Sequence, residues 1–412
     1  MTKALRILPA LILFSCTLTA QNFAFTNGNW YNGAGFTPAT WYSVNGTLTQ
    51  KAPATIDSTF DLAGQWVVPP LADAFCSSIS ENPSAEQQLK FYLNEGIFYL
   101  QVLGNTRDGR KKVDSLVQAS VVAPELRFAN GAFTCTLGYP FLKYEGPAQG
   151  VRNPQLFAQQ YEEIRTGRKM LGDAYWFADS KDAVNKSWKS VMDQQPDVLS
   201  IYLLDANNSG GKESKGLKPD VAKALVKKAR RAKLPVYAHV ETADDVRLGL
   251  KLGVHGFANL PGHNWDGKGD GGKYALTDDD LKKLAKKRTA VIPLFSHAQT
   301  QSIRPEATEA QANLLKRMLN AGVNVVIGSD DPQRTIRGEV NYWFQFGSLN
   351  YAQIINVLCV NTPQAIFPDR KIGRFDEGYE ASFLVLRDNP LDNLLKLRAI
   401  NMMVKQGKLL PK

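Results

Sequence analysis

The chain has 412 residues, 44% of them hydrophobic and 21% charged. That balance supports a large buried core and excludes an intrinsically disordered or collagen-like chain, and the length allows one barrel-sized domain plus a small satellite. The net charge of +10 comes from 49 basic and 39 acidic residues; its local runs, Lys227–Arg231 and Lys282–Arg288, fall on stretches with apolar residues at helical spacing, so they read as solvated outer faces and no nucleic-acid partner is expected.

Lys3 and Arg6, the apolar run Ile7–Phe14 and small residues up to Ala20 predict a secretory signal peptide over residues 1–20. The expected location is periplasmic or extracellular. Leu13-Phe14-Ser15-Cys16 also resembles a lipobox in which Cys16 would be acylated, but phenylalanine before the serine fits poorly, so soluble export is the favoured expectation. No other run reaches the roughly 18 apolar residues of a membrane helix, so no transmembrane segment is expected. Export permits disulfides, yet Cys76, Cys135 and Cys359 are too sparse for a disulfide framework and read as isolated buried thiols.

Short Thr/Asn/Gly-punctuated segments fill residues 21–65, with Asn45-Gly46 as a turn signal, and predict small antiparallel β structure. Apolar runs then follow at Trp66–Asp73, Ile97–Val102, Glu125–Ala129, Val198–Leu204, Pro235–His239, Val254–Leu260, Ala290–Phe295 and Val323–Ser329. Helix signals separate the later ones: Thr242 with Asp245 and Thr277 with Asp280 are N-caps, and Gly253 and Gly322 are stops. Continuous apolar strands alternating with helices imply a parallel sheet buried on both faces. Eight of them, without a glycine-rich phosphate loop after the first, predict an α/β chain with a (β/α)8 TIM barrel over residues 66–369. Residues 370–412 return to β character at Ser382–Leu386 and Asn401–Lys405, so both ends are expected to meet in one discontinuous β-sandwich of residues 21–65 and 370–412.

Val67-Val68-Pro69-Pro70-Leu71-Ala72-Asp73-Ala74-Phe75-Cys76-Ser77 resembles the first barrel strand of the amidohydrolase superfamily, roughly V-V-P-G-L-I-D-x-H-x-H. Asn361-Thr362-Pro363-Gln364-Ala365 is similar to the family's T-x-N-P-A turn, Ile372–Ser382 to its I-G-x-L-x-x-G-x-x-A-D, and Asn389-Pro390-Leu391 to its N-P-L. The group suggested is the imidazolonepropionase- and prolidase-like one, with its composite domain. The resemblance implies hydrolysis of C–N bonds by a metal-bound hydroxide at the C-terminal mouth of the barrel.

Carried over position by position, that resemblance puts Phe75 and Ser77 in place of the two strand-one histidines, Ser200 in place of the strand-four lysine, and Asn259 in place of the strand-six histidine. His239 of strand five and Asp330 of strand eight survive. A phenyl ring offers no lone pair and a neutral hydroxyl is a poor zinc ligand. The expectation is therefore a lost binuclear centre and no cofactor; one zinc or other divalent ion on His239 and Asp330, helped by His263 or His297, is the alternative. His255, at the start of a strand, is expected to lie away from the mouth.

Two loops, Tyr139–Tyr144 with three aromatics and the Gly/Asp-rich Pro261–Gly272, are expected to overhang the mouth. The functional expectation is an exported protein of hydrolase lineage, noncatalytic or weakly active, with Asn259, His263, His297, Phe75, Ser77 and Ser200 around a small-molecule site. Its alternative is an active hydrolase of amides, imides, dipeptides or lactones, with Asp330 as base and His239 as partner.

Overall fold

In the computed structural model, Pro69 and Pro70 divide the first long apolar run into two strands that serve different sheets. The structure describes residues 21–77, 79, 85–119, 122–206, 215–263, 265, 267–268, 271–298, 305–331, 334–346 and 349–411. The signal-peptide and Cys16 expectations lie outside these residues. Before the prolines come β1 (Phe23–Tyr31), β2 (Phe36–Val44), β3 (Thr47–Thr49), β4 (Ser58–Asp61) and β5 (Trp66–Val68). Parallel to β1, β4 pairs through Phe23–Thr26 and β5 through Asn29 and Trp30, while β2 runs antiparallel on the other side. The strand expected over Trp66–Asp73 is thus two strands, and the barrel begins at Leu71, not at Trp66. Proline lacks the N–H a sheet ladder needs, so two in succession end one pairing and free the chain to begin another.

The barrel strands are β6 (Leu71–Asp73), β7 (Ile97–Val102), β8 (Glu125–Phe128), β9 (Ala132–Thr134), β10 (Tyr175–Phe177), β11 (Leu199–Tyr202), β12 (Val236–His239), β13 (Gly256–Phe257), β14 (Ala290–Val291) and β15 (Asn324–Val325). All pair in parallel, as β6-β7-β8 and as β10-β9-β11-β12-β13-β14-β15. The third expected strand is longer than its apolar run: it breaks between β8 and β9, so its first half pairs β7 and its second half pairs β10 and β11. The three-residue β10 is too short to show a period in sequence. Closure follows where Ala74 N–H donates to the Ile327 carbonyl at 2.8 Å and Asp330 N–H to the Phe75 carbonyl at 2.7 Å, joining strand one to strand eight.

Both capping boxes form: Thr242 with Asp245 opens helix Ala243–Leu252, and Thr277 with Asp280 opens helix Asp278–Lys287. Gly253 ends the first with φ of 80°. The basic runs face outward from helices Pro219–Arg231 and Asp278–Lys287. Among the described residues no helix is long and apolar enough to cross a membrane.

At the other end, β16 (Phe383–Leu386) lies antiparallel to β5, and β17 (Ile400–Lys405) and β18 (Lys408–Leu409) extend the sheet. The two chain ends therefore share one eight-stranded sheet. Its core stacks aromatics from both ends, with the Phe25 and Phe383 rings 4.8 Å apart, edge to face. The hairpin turns Asn45-Gly46 and Gln406-Gly407 have positive φ at both positions, as a two-residue turn of this hand requires. They touch each other: Ala381 N–H donates to the Gly46 carbonyl and Gly407 N–H to that of Ala381. Cys76, Cys135 and Cys359 are buried, and among the described residues they form no disulfide.

Candidate functional site at the barrel mouth

Side chains at the C-terminal ends of parallel barrel strands converge by geometry, and here they line a cavity of about 540 Å³. Phe75, Ser77, His239, Asn259, His263 and Asp330 all face it. Ser200 lies beneath, hydrogen-bonded to His239. Lys143 and Tyr144, expected in a loop, stand on the helix Phe141–Ala148 after strand three, and with Trp265 from the loop after strand six they complete the wall. In the second loop, residues 264, 266, 269 and 270 lie outside the described residues.

His239 is the most constrained group. Its Nε2 is 3.1 Å from Ser200 Oγ, its ring stacks on Tyr202 at 4.1 Å and 14°, and the Phe75 ring meets it edge-on at 5.5 Å. Burial, the largest cause, holds its pKa down at about 3, and the Lys143 ammonium nearby acts in the same direction. The imidazole is neutral at any physiological pH.

Phe75 is buried, with its backbone caught in the barrel seam: its N–H donates to Asp73 Oδ1 and its carbonyl accepts from Asp330 N–H. Ser77 Oγ is buried and has no hydrogen-bond partner among the described residues. Asn259 accepts from the Val240 N–H through Oδ1 and donates through Nδ2 to the Val240 carbonyl and to His263 Nδ1. Asp330, half-buried, sits in the left-handed region with φ of 38°. A non-glycine residue there carries backbone strain, which concentrates at functional positions. Lys215 pairs with Glu241 at 3.1 Å on the rim.

The remaining histidines are His255 and His297. His255 caps the opposite end of the strands, its Nδ1 accepting from the Val236 N–H. His297 falls on the helical turn Phe295–Ala298 after strand seven, and its side chain lies outside the described part of the structure.

Two groups were passed over in sequence. Tyr202 stacks on His239; its signal was its place two residues beyond Ser200, on the same strand face. Asp73 is fully buried and accepts from Ser329 N–H and Oγ, Phe75 N–H and Tyr92 OH, so it ties strand one to strand eight beneath the mouth. Burial pushes its carboxyl up to about 6.

Residues 159–410 match the model described as the Amidohydrolase family. The chain belongs to the amidohydrolase family. Within it, ochratoxinase of Aspergillus niger is 24% identical over 210 residues, 46% of this chain and 41% of that protein. The chain thus spans about two fifths of the length of the curated relative it matches. The crystal structure of A. niger ochratoxinase superposes with a TM-score of 0.71 at 17% identity, covering 95% of each chain. A prolidase complexed with N-methylphosphonate-L-proline gives 0.69 at 16% identity, over 95% of this chain and 100% of that one. At these identities the likeness is one of fold, and the barrel with its terminal sheet is that fold.

Amidohydrolases usually hold a divalent metal at this mouth, and the donor set here does not fit one. Phe75 has no lone pair, the Asn259 amide is committed to Val240 and His263, and His239 Nε2 is engaged by Ser200. Among the described residues, no three His, Cys, Asp or Glu side chains come together as a metal site. A catalytic zinc ordinarily takes three protein ligands.

Proposed function

We propose that this amidohydrolase-family protein is an exported binding protein, its hydrolytic metal centre lost, whose barrel mouth holds a small, flat carbonyl compound. The observation that carries this reading is the hydrogen bond between Ser200 and His239. It turns the surviving strand-five histidine inward, onto a neutral hydroxyl and between two aromatic rings, where it is unsuited to ligate a metal or to accept a proton near neutral pH. The cavity around it retains what a ligand site needs: aromatic walls, a few convergent polar groups, and a Ser77 hydroxyl, unsatisfied among the described residues, for a bound molecule to engage.

One observation favours a second reading. Asp330 and His239 line the same cavity, and a strained carboxylate at a strand-eight end could act as a metal-free base toward an amide, imide, dipeptide or lactone. Metal analysis of the purified protein, run beside hydrolysis assays on X-Pro dipeptides, N-acyl amino acids, cyclic imides and lactones, separates the two. The binding reading expects no turnover. Turnover that disappears in Asp330→Asn while the fold persists would overturn it in favour of hydrolysis.

A further inference from the structure

Asn259 stands where the family places a metal-binding histidine, and the backbone itself orients its amide. Oδ1 accepts from the Val240 N–H at 2.9 Å, and Nδ2 donates to the Val240 carbonyl at 2.6 Å. A flipped amide would set N–H against N–H and oxygen against oxygen, leaving buried groups unsatisfied on both sides. The orientation is therefore decided. The second hydrogen of Nδ2 faces His263 Nδ1, 2.8 Å away. A donor in that position requires a lone pair on Nδ1, and a neutral imidazole with a bare Nδ1 carries its proton on Nε2.

We infer that Asn259 presets His263 as an Nε2–H donor, and that His263 thereby takes the carbonyl oxygen of a flat amide-like ligand in the mouth. The inference rests on the reading of the mouth as a binding site. Both residues line the cavity, and Tyr202, Trp265 and Tyr274 line it with them, which suits an aryl group beside the carbonyl. Polarising a carbonyl is a task that bound metal ions perform in hydrolases. A neutral N–H donor can bind the same oxygen without supplying a nucleophile, so recognition persists where hydrolysis does not. Asn259 is here a positioning residue, and His263 the group that touches the ligand.

Two measurements test it. Long-range 1H–15N spectra of the full chain, labelled at its four histidines, read the tautomer of each ring. His263, assigned with His263→Gln, should be protonated on Nε2 and bare on Nδ1, and Asn259→Asp should reverse this, because a carboxylate oxygen accepts where the amide donated. A wild-type ring protonated on Nδ1 overturns the inference whether or not the mouth binds anything; should Asn259→Asp fail to fold, the wild-type spectrum decides alone. The second measurement is the affinity for acetanilide against N-ethylaniline, which lacks only the carbonyl. Wild type should prefer acetanilide on the order of tenfold, the worth of one buried hydrogen bond. That preference should vanish in His263→Phe and largely survive in His263→Gln, whose amide keeps a donor there. An undiminished preference in His263→Phe overturns the recognition role with the binding reading intact. If neither compound binds, the binding reading itself falls and takes that role with it, while the tautomer stands or falls by the spectrum.

Discussion

Ser200 Oγ lies 3.1 Å from His239 Nε2, so the histidine at the end of strand five is capped by a serine from strand four. Both side chains are buried. Ser200→Ala leaves the ring nitrogen without that partner, and an unsatisfied buried group costs about 1–3 kcal/mol. Urea unfolding should show a lower midpoint by that amount with an unchanged slope. A loss below about 0.5 kcal/mol would mean the bond contributes nothing to the fold.

Metal content follows from the donors present at the mouth. Purified protein should carry less than about one equivalent of transition metal, since the donors at the mouth fall short of three. Elemental analysis finding two bound ions per chain would refute this. Installing the ligand set that the resemblance implies, with Phe75→His, Ser77→His, Ser200→Lys and Asn259→His together, should produce zinc binding that raises the unfolding temperature with the logarithm of free metal.

Asp73 sets a pH dependence. Burial lifts its carboxyl from 3.8 to about 6, against hydrogen bonds from Ser329, Phe75 and Tyr92 that act the other way. A carboxyl with a higher pKa folded than unfolded takes up protons on folding between those values, so its contribution is fully present below pH 3.8 and is lost as pH rises through 6. The loss is about 3 kcal/mol. The difference in unfolding free energy between wild type and Asp73→Asn should shift by that order between pH 4 and pH 7. Parallel curves for the two proteins would remove Asp73 from the account.

His239 has the opposite sign. Its pKa is depressed from 6.5 to about 3, so the stability tied to its neutral form is present above pH 6.5 and is lost as pH falls toward 3. Its ring resonances, assigned with His239→Gln, should stay flat between pH 8 and pH 5. A midpoint near 6.5 would show a solvated imidazole and would reopen the case for His239 as a base.

Much of this was legible in the chain. The caps at Thr242 and Thr277, the turn at Asn45-Gly46, and the alternation of apolar strands with helices act over a few residues, and each formed where its local chemistry placed it. That Phe75, Ser77 and Asn259 face the mouth from strand ends was readable too, since a strand-end position is fixed once the strand is found. The short β10 and the break in the third strand were not, because three aromatic residues show no period and because a strand's choice of neighbour is a tertiary matter.

Residue identity thus determined which groups stand at the mouth, and the tertiary structure alone decided what state they are in. That Asp73 binds Ser329 across 256 positions and that Phe75 meets His239 depend on closing a barrel, while the orientation of Asn259 by Val240 and the stacking of His239 on Tyr202 depend on the pairing of neighbouring strands. Closure brings strand one against strand eight and removes water from the groups between them. Hydrogen-bond direction and protonation depend on which partners and how little solvent surround a group, and no local stretch of chain carries that information.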